Sequence, residues 1–139
     1  MRPCQIAADA RRCEPLDQDD ETIAIMDIHP ANSGHCLVIP KKRAATILEV
    51  EPETFAAVRR MAVRIANAVQ SALGPDGISL VQANGVAAGQ TESHLHAHVL
   101  PRRTNDALPL NWRRTSGATG EEIALLARRI RAHLPGKAL

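Results

Sequence analysis

The sequence predicts an α+β fold: an antiparallel sheet with one long helix packed on it and a second helix at the C-terminus. Three observations carry this. Four short segments rich in Ile, Val, Leu or alternating residues are bounded by turn chemistry. One long segment repeats apolar residues at spacings of three and four. A last amphipathic segment follows an irregular stretch. The chain of 139 residues suits a single domain, 1–139; a second core would leave each half too small to bury enough apolar surface.

The elements follow in order. "CQIAADARRC", Cys4 to Cys13, has the length of a short helix but weak periodicity. "ETIAIMDI", Glu21 to Ile28, reads as a strand, and "HCLVIP", His35 to Pro40, as a second. "HPANSG" between them is a turn, so the two form a hairpin. "KKRAATILEV" is an irregular connection. Pro52 to Leu73 is the long helix: Pro52 suits a first helical position, and Phe55, Val58, Ala62, Ile65, Val69 and Leu73 form its stripe. "GPDG" ends it. Ile78 to Asn84 is a third strand, "GVAAG" a small-residue loop, and His94 to Leu100 a fourth strand closed by Pro101. Glu121 to Leu134 is the terminal helix, with Ile123, Leu126, Ile130 and Leu134 on its apolar side.

Composition removes several function classes. One Trp, one Phe and no Tyr leave no aromatic platform for stacking nucleic-acid bases. A net charge of +2 is too weak for binding duplex nucleic acid, yet it permits an anionic small molecule. Cys4, Cys13 and Cys36 are odd in number and unclustered, which reads as free thiols in a reducing compartment. The N-terminus has no apolar run of the secretory kind, and no segment approaches the roughly 20 apolar residues of a membrane span. The expected location is the cytoplasm.

The chemistry concentrates in "SHLHAHVLPR". His94, His96 and His98 alternate, so on a strand they share one face while Leu95, Ala97 and Val99 share the other, about 7 Å separating alternate residues. Three readings compete: a solvated strand face, an open three-imidazole metal site, and nucleophilic catalysis on phosphorus. In the last, a neutral imidazole attacks and its neighbours donate to phosphate oxygens. The preceding "NGVAAGQT", Asn84 to Thr91, favours the last, because small residues let backbone approach a phosphate and Asn84, Gln90 and Thr91 add neutral donors.

"HLHAHVL" matches the His-φ-His-φ-His-φ-φ pattern of the histidine triad, or HIT, superfamily, and the resemblance extends further. "DETIAIMDIHPANSGHCLVIPKKR" resembles that family's nucleotide-binding hairpin, and "GPDGISLVQANGVAAGQT" its strand and loop before the triad. The match spans about Cys4 to Arg102, leaving 103–139, with Trp112, as a C-terminal extension. The resemblance implies a HIT-like fold and a nucleotide hydrolase acting at the α-phosphorus. His96 would be the nucleophile that forms a covalent nucleotidyl-histidine. His98 would bond the phosphate, His94 would organise the site and His35 would support the triad. Asp27 would accept the ribose hydroxyls; Ile25, Ile28 and Leu37 would line the base; Asn84, Gly89, Gln90 and Thr91 would line the phosphate path.

The resemblance also implies a homodimer and a purine nucleotide of the AMP type as substrate. Neither cofactor nor metal is expected. Bacterial members that bind zinc carry a C-x-x-C and a histidine after "IPK", whereas Met1 and Arg43 stand at two of those places and only Cys4 matches. Glu92 stands where the family carries Val. Two leaving-group classes stay open. Amines, as in nucleoside phosphoramidates, are one; polyphosphates, as in dinucleoside polyphosphates, are the other. "GQT" and "PR" around the triad lean to polyphosphates. A nucleotide-binding regulator with little turnover is the alternative from another class.

Overall fold

A computed structural model describes residues 14–109 and 117–136; the helix expected over Cys4–Cys13 and Trp112 lie outside them. The chain divides into two compact units, meeting between Ala107 and Leu108. The first contains β1 (Pro15–Gln18), β2 (Thr22–Met26), β3 (Cys36–Pro40), α1 (Pro52–Leu73), β4 (Gly77–Val81) and β5 (Ala97–Arg102). These five strands form one antiparallel sheet in the order β1-β2-β3-β5-β4. The fold is α+β, as the sequence predicts.

Helix α1 covers one face of that sheet. Its Val58, Met61, Ala62, Ile65 and Val69 are buried against Ala24, Cys36, Val38, Leu95, Ala97 and Val99. Each fully buried Val, Leu, Ile or Met contributes roughly 1.5–3 kcal/mol. The expected stripe holds through Val69; Phe55 is half-buried and Leu73, in the last turn, is exposed. Cys36 faces the helix side, where burial raises its thiol above the ordinary range. Gly74 in left-handed backbone (φ 54°) caps the helix and bonds back to Gln70.

Three expectations are corrected. β1 was not anticipated. "PLDQ" has no alternation because this is an edge strand, bulged between Pro15 and Asp17 and held by backbone pairing to β2. The fourth expected strand begins at Ala97 rather than His94. The β3–β5 register would set Leu95 against Pro40, which has no N–H for the ladder, and Leu95 N–H bonds Ala44 O instead at 2.8 Å. Pro101 lies inside β5 rather than closing it. Its carbonyl points to Asn32, on the side where the β3 ladder has already ended at Val99, so its missing N–H costs no ladder bond.

The second unit holds α2 (Gly120–Arg131). Thr119 and Glu122 form a reciprocal capping box, with N–H···O distances of 3.2 and 2.8 Å. Glu121 and Glu122 in the first turn and Arg128, Arg129 and Arg131 in the last complement the helix dipole. Among the described residues, no helix is long and apolar enough to cross a membrane.

Candidate active site

The sheet face away from α1 carries the chemistry. Strand register places Ile25, Leu37, His98 and Val81 side by side across β2, β3, β5 and β4. Asp27 follows Ile25 by two residues and His35 precedes Leu37 by two, so both continue the same face. The pleat thus delivers Asp27, His35 and His98 to one spot from three separate stretches of sequence.

The triad is not a line of equivalent rings. His94 is 1% exposed, and its Nε2–H donates to Pro40 O at 2.9 Å. Among the described residues its Nδ1 has no hydrogen-bond partner. The His94 carbonyl accepts from His96 Nδ1 at 2.8 Å. A backbone oxygen can only accept, so His96 carries a proton on Nδ1, and in the neutral ring Nε2 is the nitrogen with the lone pair. The His98 ring stands edge-on to His96 with centroids 4.9 Å apart.

The second arm of the site fixes its protons by the same logic. Ala31 N–H donates to His35 Nδ1 at 3.1 Å, which makes that nitrogen an acceptor. His35 then holds its proton on Nε2 and donates it to His98 Nδ1, 2.8 Å away. His98 in turn carries its proton on Nε2, a donor for an incoming oxygen. The neutral state this needs is favoured: burial first, then the His96 and His35 rings, lower His98 to about 4, with only Asp27 opposing. Burial also lowers His35, again against Asp27, and lowers His94, against its bond to Pro40.

The remaining expected residues divide. Asp27 Oδ1 accepts His29 N–H at 2.8 Å, an Asx turn, while Oδ2 lies 3.6 Å from His35 Nδ1. Ile25 is buried, Leu37 half-buried and Ile28 half exposed, so Ile28 and Leu37 offer the accessible apolar surface. Asn84 Oδ1 accepts Ile47 N–H at 2.7 Å, and its amide exchanges bonds with Gln82. Gln90 Oε1 accepts Gly85 N–H at 2.7 Å, while Nε2 donates to Ala45 O and Glu92 O. Both amides are spent bracing the loop. Gly89 supplies its left-handed corner (φ 94°) and Thr91 is exposed.

Asp27, His35 and His98 each offer a ligand atom within 4.8 Å of the others, close enough for a cation. Such a cation would take nitrogens that His35 and His98 use to bond Ala31 and each other. The competing reading of an open site on His94, His96 and His98 is not what the described residues bring together, and His94 is buried. Sequence reasoning missed Ala31, Asn32 and Asp106. Asn32 Nδ2 donates to Pro101 O and to Asp106 Oδ2, both at 3.0 Å, and Asp106 pairs with Arg102 through both carboxylate oxygens. A backbone N–H leaves no mark in a sequence, and Asn32 reads there only as a turn former.

Comparison with known proteins agrees with this geometry. The HIT domain matches residues 12–105. The chain is similar to the adenylylsulfatase HINT3 of Arabidopsis thaliana: 36% identical over 133 residues, covering 94% of this chain and 68% of the relative. It is 32% identical over 110 residues to the adenosine 5'-monophosphoramidase hnt1 of Schizosaccharomyces pombe, covering 78% and 80%. Among solved structures, a HIT family protein from Bacillus anthracis superposes with a TM-score of 0.86 at 30% identity, covering 94% of each chain. An alternating histidine segment at the mouth of an antiparallel sheet, matched over sequence and structure alike, places this chain in the HIT domain family.

Proposed function

We propose that the protein hydrolyses a purine nucleotide derivative of the AMP type at its α-phosphorus, with His96 as nucleophile. The observation that carries this is the His96 Nδ1–H···O=C His94 bond, which occupies Nδ1 and reserves the Nε2 lone pair of the neutral ring for attack. Nε2 forms the N–P bond as the phosphorus–leaving-group bond breaks; sulfate departs as the dianion, whereas an amine departs with a proton taken from solvent water. Water then attacks the nucleotidyl-histidine, breaks the N–P bond and releases the nucleoside monophosphate. His98 Nε2–H donates to a phosphoryl oxygen as charge develops there. Asp27 faces the ribose, and Ile28 and Leu37 face the base. Among the described residues β4 is a sheet edge with Leu80 exposed, the edge through which two copies could join sheets as a homodimer.

The leaving group is best read as sulfate or an amine. The two relatives with named activities are an adenylylsulfatase and an adenosine 5'-monophosphoramidase. The sequence lean to polyphosphates rested partly on Pro101 and Arg102, and both have structural work: Pro101 is buried and Arg102 is paired to Asp106. A panel of adenylyl sulfate, adenosine phosphoramidate and diadenosine polyphosphates tests this. Turnover of the first two, lost in His96→Ala, is expected. No turnover of any would end the hydrolase reading.

A further inference from the structure

We propose that Asn32, Arg102 and Asp106 form a positioning device that selects the tautomer of His35 and, through it, of His98. The inference rests on the reaction proposed above and names residues for it that lie outside the nucleotide pocket.

The selection is a competition at one atom. His35 Nδ1 has two neighbours of opposite kind: Ala31 N–H at 3.1 Å, which needs a lone pair there, and Asp27 Oδ2 at 3.6 Å, which would accept a proton from it. If Ala31 wins, His35 Nε2–H donates to His98 Nδ1 and His98 presents Nε2–H to the phosphate. If Asp27 wins, His35 Nε2 becomes an acceptor and takes the Nδ1–H of His98. His98 Nε2 then presents a lone pair to an anionic oxygen, and the hydrogen bond turns into repulsion. Which neighbour wins depends on where the turn before β3 holds Ala31.

That turn is fastened from outside. Asn32, next to Ala31, donates one amide proton to Pro101 O and the other to Asp106 Oδ2, each at 3.0 Å. Asp106 Oδ2 also accepts Arg102 Nε at 2.7 Å and Arg103 N–H at 3.1 Å, while Oδ1 accepts Arg102 Nη2 at 2.9 Å. Arg102 Nη1 reaches Ser79 Oγ at 3.2 Å and ties the fork to β4. Both partners of the ion pair are largely buried, at 15% and 7% side-chain exposure. A buried pair is a costly way to gain stability but a good way to fix a geometry. The two residues flanking Asp106 support the same view: Asn105 (φ 64°) and Ala107 (φ 60°) adopt left-handed backbone without being glycine. Such strain persists where the surroundings over-determine a conformation.

The test is long-range ¹⁵N–¹H spectroscopy of the imidazoles, beside steady-state kinetics. In the wild-type chain, His35 and His98 are both expected as neutral Nε2–H tautomers. In Asn32→Ala, His35 should move toward Nδ1–H and His98 should follow. With adenosine phosphoramidate, kcat should fall on the order of tenfold to a hundredfold, the loss of one hydrogen bond to a charged group, with KM changing much less. Arg102→Lys keeps the charge but not the fork and should fall between. A wild-type His35 carrying its proton on Nδ1 overturns the proposal, whether or not any variant folds. So does a folded Asn32→Ala that is less stable but has unchanged tautomers and kcat, since that is a structural role only. The wild-type tautomers as stated in a chain that turns over no nucleotide would support the relay and sink the reaction.

Discussion

Acidification should destabilise the first unit through His98. In the unfolded chain this imidazole takes its proton near the ordinary value of 6.5; in the fold, burial and the neighbouring rings hold it to about 4. Between these values the unfolded state binds a proton that the folded state refuses. Stability is therefore full above about pH 6.5, falls as pH drops through the window, and stops falling from this source below about 4. At about 1.4 kcal/mol per pH unit, the window is worth on the order of 3 kcal/mol. His35 and His94 are lowered in the same direction and add to the loss. A typical domain has only about 5–15 kcal/mol in total. Urea melts at pH 7.5, 6.5, 5.5 and 4.5 on wild type and His98→Asn measure it. The wild-type curve should drop more steeply by about one proton's worth of slope, because the variant has nothing to titrate there. Parallel curves, or a wild type that gains stability on acidification, would refute the assignment of a half-buried neutral His98.

Other expectations are narrower. His96→Ala should keep the melting temperature and AMP binding but lose turnover by at least about a thousandfold, since the neighbouring His98 and His35 nitrogens are engaged with each other; calorimetry and single-turnover kinetics check it. Asp27→Asn should raise KM for adenosine substrates by the equivalent of about 1–3 kcal/mol and matter far less for a 2',3'-dideoxy analogue. Equal losses on the two would reassign Asp27 to its bond with His29 alone. Gly34→Ala should cost on the order of 1–2 kcal/mol or more, because φ is +90° and the new Cβ would fall 2.4 Å from Leu73 Cδ1; thermal denaturation reads it.

The parts of the fold with regular periodicity were legible, and the parts held by backbone or by single side chains were not. Pro52–Leu73 was read residue for residue, because a proline start, a stripe at helical spacing and a glycine stop all agreed. β1 was invisible because an edge strand needs no apolar alternation. The site was legible in its residue types: His35 and His98 do meet, and Asp27 lies beside them. Its roles were less so. Asn84 and Gln90 look like ligands for a phosphate in sequence, yet their amides are consumed by Ile47, Gln82, Gly85, Ala45 and Glu92. Polar residue type shows that a bond will be made, not with which partner.

The alternation of the three histidines also misleads in a way that has a physical cause. A period of two assigns side chains to faces only while the chain stays in the ladder, and here it joins the ladder at Ala97. Upstream of that point, His94 turns its ring into the protein and is anchored by Pro40 O. The anchor's product is not an imidazole at the site but a carbonyl: with the ring fixed, the His94 oxygen is held where it takes the Nδ1 proton of His96. Three histidines therefore do three different things. In the proposed reaction one fixes the backbone, one presents a lone pair and one presents a proton. In that reaction the last two need opposite protonation at the nitrogen that would face the substrate, and two backbone groups favour it: the accepting carbonyl of His94 for His96 and, through His35, the donating N–H of Ala31 for His98. Neutral rings whose protons are placed by backbone groups can hold a donor and a nucleophile side by side, whereas two freely titrating rings at this distance would repel or exchange roles.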